Sequence, residues 1–220
     1  MNNLNIVNTN DINKISDEIA FVINEQLGLG KRVLLFTTGG SSIPMQILVS
    51  QKINNVSDGK LVVTLTDERY GEDNHLDSNW FKLISGGFVS NGAKMVPILC
   101  NKNIKETTDI FIQNLEKELD DADYKIGMFG IGADAHTSGI LPQSVAVNSD
   151  ELACYYDAPP FLRVTITPKT ILKLDVAFVY AMGESKWPVV ESMKEDLPVI
   201  EKPAQVLKQV PILKIYTDGK

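Results

Sequence analysis

Apolar residues in the first part of the chain recur at the spacing of a helix. Within residues 10–30 they stand three or four positions apart, which places them on one helical face: Ile12, Ile15, Ile19, Val22, Ile23 and Leu27. Asn10 or Asp11 is suited to cap the start of this helix, and Gly28 or Gly30 to end it. The pattern predicts an amphipathic helix that packs one face on the core.

Beyond this helix, short apolar runs alternate with helical segments. Strands are predicted at residues 32–38, 61–66, 95–99, 124–132, 162–167, 176–183 and 210–217. Helices are predicted at residues 39–53, 78–85, 107–122 and 185–194. Strands that are apolar on both faces and separated by helices are typical of a mainly parallel sheet covered on both sides. Because the chain has no internal repeat or linker, we predict one α/β domain over residues 1–220, built as a three-layer α/β/α sandwich.

Composition limits the kinds of partner and site. The 220 residues carry a formal net charge of -7, and their length suits a single core that buries roughly 70% of the unfolded chain's surface. An acidic chain lacks the basic face that nucleic acids require, so we expect no nucleic-acid partner. The sequence has only two histidines, His75 and His136, and two cysteines, Cys100 and Cys154. These are too few for a Cys/His zinc site or a disulfide framework.

No targeting or membrane segment is predicted. The chain does not begin with a basic stretch followed by an apolar run, and no segment approaches the roughly 18 to 20 apolar residues of a membrane span. Free cysteines fit a reducing compartment. We therefore expect a cytoplasmic protein with no membrane partner, either a monomer or a small homo-oligomer.

The first candidate binding segment follows the strand at 32–38. Gly39 and Gly40 allow backbone N–H groups to approach an anion, and the next helix adds its dipole. The hydroxyls of Ser41 and Ser42 can donate to phosphate oxygens. The alternative is a tight turn in which Ser41 or Ser42 caps the helix. The spacing matches neither a nucleoside-triphosphate loop nor a dinucleotide fingerprint.

The second candidate segment follows the strand at 61–66. A polar loop, residues 67–77, begins with three charged side chains: Asp67, Glu68 and Arg69. Charges at a strand end are costly unless they pair or meet a ligand. Arg69 is suited to bind phosphate or to hold a neighbouring carboxylate, and Asn79 lies just downstream. The alternative is a solvated acidic loop, and we predict that His75, in the same loop, lies on the surface.

The third candidate segment, residues 130–142, carries the most specific chemistry. His136 stands two residues after Asp134 on a glycine-flanked turn behind a buried strand. A histidine there is suited to act as general base, and Asp134 or Asp67 can orient its ring. The alternative is a histidine that merely caps the loop. Because no G-x-S-x-G motif is present, attack by an activated water is the simpler prediction.

Two later cations complete the candidate set. Arg163 opens the predicted strand at 162–167, and Lys186 stands at the start of the helix at 185–194. A cation at a helix N-terminus opposes the helix dipole, which is understandable if an anion binds there. Taken singly, each is an ordinary surface charge.

Five ordered motifs give the chain a family resemblance between Phe36 and Lys186. They are Gly39–Ser42, Asp67–Arg69 with Ser78–Asn79, Gly130–Pro142, Arg163–Thr167 and Gly183–Lys186. These motifs, in this order, resemble those of 6-phosphogluconolactonases. The resemblance implies a modified Rossmann-like fold and hydrolysis of 6-phospho-D-glucono-1,5-lactone to 6-phosphogluconate, with no metal or organic cofactor.

The resemblance also assigns roles to residues. It implies that His136 activates water with support from Asp134. It places a further set in contact with the phosphorylated sugar lactone: Gly39, Gly40, Ser41, Ser42, Asp67, Glu68, Arg69, Asn79, Thr137, Arg163 and Lys186.

The chain departs from the family pattern inside the histidine segment. Ala135 stands where the family has glycine, and Ser138-Gly139 inverts the family's pair of small residues. If position 135 needs a positive φ, alanine there carries strain of about 1 kcal/mol.

The resemblance leaves two alternative functions open. One is an aminosugar-phosphate deaminase or isomerase, which carries glutamate at the position of Leu141 and tyrosine at that of Arg69; both differences favour the lactonase. The other is a sugar-phosphate-binding paralogue without catalysis.

Overall fold

The structure, a computed structural model, describes residues 4–57 and 59–219, so residues 1–3, 58 and 220 of the predicted domain lie outside the described residues. The strands are β1 (Leu4–Asn8), β2 (Val33–Thr37), β3 (Leu61–Leu65), β4 (Asp67–Arg69), β5 (Lys94–Val96), β6 (Tyr124–Gly130), β7 (Ala153–Ala158), β8 (Phe161–Ile166), β9 (Val176–Ala181) and β10 (Ile212–Thr217). The α-helices are α1 (Ile12–Gly28), α2 (Ile43–Lys52), α3 (Asn79–Ser85), α4 (Ile104–Asp121), α5 (Pro168–Ile171) and α6 (Trp187–Ser192).

A parallel seven-stranded sheet forms the centre of the molecule, in the order β1-β10-β9-β6-β2-β3-β5. Alternate residues of β2 enter two separate cores, with Leu34 in one and Leu35 in the other, because successive side chains of a strand point to opposite faces. Residues of α1, α2 and α3 build one core, and residues of α4, α6 and β8 build the other. The predicted α/β sandwich is confirmed.

A second, three-stranded antiparallel sheet, ordered β4-β8-β7, corrects part of the prediction. The predicted loop 67–77 begins instead with strand β4, and the predicted strand 162–167 belongs to this sheet rather than to the central one. β7 and β1 were absent from the predicted elements. β7 alternates buried and more exposed residues, which an apolar-run criterion overlooks, and β1 is short and rich in asparagine.

Helix α1 shows how the sequence pattern becomes packing. Asp11 caps its start, because the side chain accepts hydrogen bonds from the N–H groups of Asn13 and Lys14. Ile15, Ile19 and Ile23 of the predicted apolar face are fully buried. In the part of the chain that the structure describes, no helix is long and apolar enough to cross a bilayer.

Candidate active site

A cleft of about 260 Å³ opens at the carboxyl ends of β2, β3, β6 and β9. These strands are neighbours in one parallel sheet, so the loops that follow them meet at one edge, where open α/β sheets bind ligands. The cleft is lined by Thr38, Gly39, Gly40, Ser41, Ser42, Asp67, Arg69, Asn79, Gly130, Ile131, Gly132, His136, Ser138, Arg163 and Lys186. Three segments that are distant in sequence therefore form one site with Arg163 and Lys186.

His136 and Asp134 form a contacting pair at this cleft. The ring Nδ1 of His136 lies 2.6 Å from Asp134 Oδ1, and the His136 backbone N–H donates to the same oxygen at 3.1 Å. Partial burial disfavours the charged carboxylate, but the bonds from His136 outweigh it and hold the pKa of Asp134 below its ordinary value. A carboxylate at Nδ1 favours the tautomer whose Nε2 can accept a proton. Asp67, the other acid considered for this role, faces Arg163 instead, with 3.5 Å between its Oδ2 and Nη1.

The loop that carries His136 adopts a left-handed backbone at two non-glycine residues. Ala135 has φ of 68° and Ser138 has φ of 54°. The Ala135 carbonyl accepts from the N–H of Ala204, and the N–H of Gly132 donates to the His136 carbonyl, so surrounding hydrogen bonds hold the strained turn. Position 135 therefore has the positive φ at which alanine carries strain.

The glycine-serine segment is held from behind by Gln46. Its side-chain oxygen accepts from the Thr38 N–H at 2.9 Å, and its Nε2 donates to Thr38 O and Ser42 Oγ. Ser42 Oγ donates to Gly39 O and makes no capping bond to α2, so the alternative of a serine side-chain cap is wrong for this residue. Ser41 is exposed at the rim, where its Oγ accepts from Lys186 Nζ at 3.2 Å.

Three cations face the cleft. Half-burial of Lys186 lowers the pKa of its ammonium group. Arg69 and Arg163 stand directly opposite each other on β4 and β8, and their guanidinium groups lie 5.6 and 5.9 Å from the ring centre of Phe161. Like charges in directly opposed strand positions repel each other. A bound anion would offset that repulsion, so the cleft is suited to an anionic ligand.

Two of the predicted contact residues lie outside the lining of the cleft. Glu68 is fully buried and its carboxylate accepts from Ser78 Oγ and from the N–H groups of Arg69, Asn79 and Trp80. Burial raises its pKa, against the opposing effect of these bonds. Thr137 is also buried, and its hydroxyl donates to the Gly130 carbonyl at 3.0 Å. Both side chains are therefore engaged by neighbouring groups of the protein, behind the residues that line the cleft.

His75 lies outside the cleft lining, yet the prediction of a surface residue is too simple. Its ring is partly buried, and Nε2 lies 2.9 Å from the Arg69 carbonyl oxygen. The loop folds back on β4, which the mostly polar sequence of residues 67–77 does not indicate.

The cleft also contains residues to which the sequence assigned no role, above all Thr38 and Ser138. Both stand inside or beside the motifs, so proximity to a motif was the available signal. Among the described residues, no group of three or more histidine, cysteine or acidic side chains is placed to hold a metal ion.

Gly39 is required by a close approach, which makes its replacement a test of the site's construction. A Cβ atom at this position would lie 1.9 Å from Asn79 Oδ1, and Asn79 is held by bonds to Asp67 O and Arg69 Nη1. We expect Gly39→Ala to destabilise the fold by about 1–3 kcal/mol in urea unfolding. Gly28→Ala is the control, because a Cβ there meets nothing within 4 Å. Equal stability of the two variants would contradict this packing.

Comparison with known proteins identifies a family and a relative that match most of this chain. A family model described as "Glucosamine-6-phosphate isomerases/6-phosphogluconolactonase" matches residues 9–213. A 6-phosphogluconolactonase of Helicobacter pylori (strain ATCC 700392 / 26695) is 24% identical over 209 residues, covering 91% of this chain and 90% of that protein.

Solved structures show the same fold. A 6-phosphogluconolactonase from Shewanella baltica OS155 superposes with a TM-score of 0.81 at 21% identity, covering 99% of this chain and 98% of that one. A monomeric glucosamine-6-phosphate deaminase gives a TM-score of 0.76 at 16% identity, with 97% and 96% coverage. The fold is therefore common to lactonases and deaminases. The chain belongs to the family of glucosamine-6-phosphate isomerases and 6-phosphogluconolactonases.

Proposed function

We propose that this protein hydrolyses 6-phospho-D-glucono-1,5-lactone to 6-phospho-D-gluconate. The observation that carries the proposal is the His136–Asp134 pair at a cleft that also holds three cations. A base beside anion-binding groups suits an ester-like bond in a phosphorylated molecule. The relatives named above include 6-phosphogluconolactonases, which supports the same substrate.

The proposed reaction uses water as the nucleophile. His136 Nε2 takes a proton from water while the water oxygen attacks the lactone carbonyl carbon. The carbonyl oxygen becomes an oxyanion, which N–H groups and guanidinium groups of the cleft stabilise. When the ring C–O bond breaks, the imidazolium returns the proton to the leaving ring oxygen. Asp134 stabilises the imidazolium between these two steps, as an orienting acid does in a triad.

We assign the remaining cleft groups to substrate binding. Arg69, Arg163 and Lys186 supply positive charge for the phosphate and the oxyanion, and the backbone around Gly39 and Gly40 supplies N–H donors. This reaction requires no metal or organic cofactor.

The deaminase alternative is less well supported by the site. Moving a proton between carbon atoms of an opened aminosugar calls for a further carboxylate near the histidine. Leu141 occupies the position where deaminases carry glutamate, and Asp67, the acid that lines the cleft, faces Arg163. Asp134 is engaged by the His136 ring.

Hydrolysis of freshly generated 6-phosphogluconolactone tests the function directly. We expect the purified protein to accelerate loss of the lactone well above its spontaneous rate and to release no ammonia from glucosamine 6-phosphate. Ammonia release without lactone hydrolysis would establish the deaminase instead. Binding of 6-phosphogluconate with no rate acceleration would establish the non-catalytic paralogue.

Three further properties stay predictions: single-domain organisation over residues 1–220, a cytoplasmic location, and a monomeric or small homo-oligomeric state. So does the absence of nucleic-acid partners.

A further inference from the structure

Ser138 presents a buried hydroxyl without a partner at the cleft. Its side chain lines the cleft, the residue is only 8% exposed, and Oγ makes no hydrogen bond within the described residues. Buried polar groups in folded proteins are nearly always hydrogen-bonded, and an unpaired one carries a desolvation penalty. A ligand that supplies the missing bond accounts for this exception.

The surrounding loop leaves this hydroxyl free while engaging its neighbours. Thr137 Oγ1 donates to Gly130 O, and the Gly139 N–H donates to Thr165 Oγ1 at 3.0 Å. Ser138 itself is held with φ of 54°, a conformation that serine adopts only when its surroundings impose it. A side chain at position 139 is excluded, because its Cβ would lie 2.7 Å from Thr165 Cβ. Position 138 is therefore where this turn can present a hydroxyl to the cleft.

The chemistry of the neighbouring groups indicates what this hydroxyl binds. Nε of Arg69 and Nε of Arg163 are also buried and have no hydrogen-bond partner in the described part of the chain. Guanidinium groups only donate, which suits anionic oxygens. A serine hydroxyl both donates and accepts, which suits another hydroxyl. Serine acts as a nucleophile only when a base contacts it, and Ser138 Oγ has no such contact among the described residues.

We propose that Ser138 binds a ring hydroxyl of the sugar lactone and thereby contributes to selection of the fully hydroxylated substrate. This inference rests on the proposed function for the identity of the ligand. It assigns Ser138 a binding role and leaves proton transfer to His136.

Ser138→Ala tests the inference because the substitution removes only the unpartnered atom. We expect KM for the lactone to rise about three- to tenfold, the loss of one neutral hydrogen bond, while kcat stays within about twofold. Tm should not fall, since no intramolecular bond is removed. Ser90→Ala is the control, because Ser90 is an exposed serine outside the cleft lining, and KM should not change.

Lactones that each lack one ring hydroxyl identify the contact. For one member of a 2-, 3- and 4-deoxy series, wild type and Ser138→Ala should show the same KM, because the bond is already missing. For the other two, the variant should remain three- to tenfold weaker. Equal weakening across all three deoxy lactones, or an unchanged KM with the natural lactone, would overturn the assignment.

Calorimetry with 6-phosphogluconate separates this inference from the proposed function. The product retains these hydroxyls, so wild type should bind it several-fold more tightly than Ser138→Ala. If the wild type binds 6-phosphogluconate more tightly than Ser138→Ala but hydrolyses no lactone, the proposed function is wrong and the Ser138 contact stands. If hydrolysis is normal and Ser138→Ala changes neither KM nor product affinity, the function stands and the contact fails.

Discussion

Replacing His136 by alanine is expected to lower kcat for lactone hydrolysis by a factor of about 100 to 10,000. The ring is the candidate base at the cleft, and without it water must attack unaided by proton transfer. Asp134 cannot substitute, because an aspartate carboxylate is a much weaker base than an imidazole and Asp134 does not line the cleft. Substrate binding should change little, since the cations and the glycine-serine segment remain in place. Initial rates with fresh lactone, corrected for spontaneous hydrolysis, give kcat and KM separately.

His75→Ala is the matched control for this experiment. It removes the other histidine of the chain, which contacts the Arg69 carbonyl but does not line the cleft. Its kcat should stay within about threefold of wild type, well short of the effect of losing a general base. Full activity of His136→Ala would refute the proposed mechanism, and a larger loss in His75→Ala than in His136→Ala would reverse the assignment of the two histidines.

Replacing Glu68 by alanine is expected to lower the free energy of unfolding by about 3–5 kcal/mol. The substitution leaves three backbone N–H groups and the Ser78 hydroxyl without their acceptor, and each unsatisfied buried donor costs about 1–3 kcal/mol. Water entering the gap recovers part of that sum. Two of the N–H groups belong to the first turn of α3, so the start of this helix should loosen as well. Urea unfolding followed by circular dichroism measures the loss.

Glu72→Ala supplies the comparison, because Glu72 is an exposed acid four positions along the same segment. Its effect should stay within about 0.5 kcal/mol, as is usual for surface substitutions. Glu68→Gln keeps the size and one acceptor, so its loss should fall between those of the two alanine variants. A loss below about 1 kcal/mol for Glu68→Ala would show that the buried carboxylate is not what holds the start of α3.

Much of the central sheet was predictable because its strands are buried on both faces. Consecutive apolar residues such as Val33–Phe36 and Val176–Val179 are required by such burial, so they mark strands directly in the sequence. The antiparallel sheet has no comparable signal. Arg69 and Arg163 are paired strand residues, yet nothing in the sequence indicates that they are neighbours, since their pairing depends on segments more than ninety residues apart.

Within the motifs, too, the sequence identifies the residues but does not show which of them face the cleft. Asp67, Glu68 and Arg69 are adjacent, and sequence reasoning treated all three as substrate contacts. Alternation along β4 turns Asp67 and Arg69 toward the cleft and Glu68 away from it, beneath the start of α3. These opposite orientations follow from the strand conformation of β4. The sequence of this short polar segment does not predict a strand.

By itself, the sequence determined the α/β class, the helical and strand periods, and the types of group that gather at the strand ends. Those properties follow from local chemistry: apolar spacing, glycine at turns, and a histidine two residues from a carboxylate. Only the tertiary structure decided that Asp134 and not Asp67 contacts His136, and that Glu68 and Thr137 bond to the backbone behind the cleft. It also decided that the Ser138 hydroxyl is buried with no partner among residues 4–57 and 59–219. Contacts and burial depend on which distant segments are neighbours in the folded protein. The pattern of residues along the chain does not show this directly.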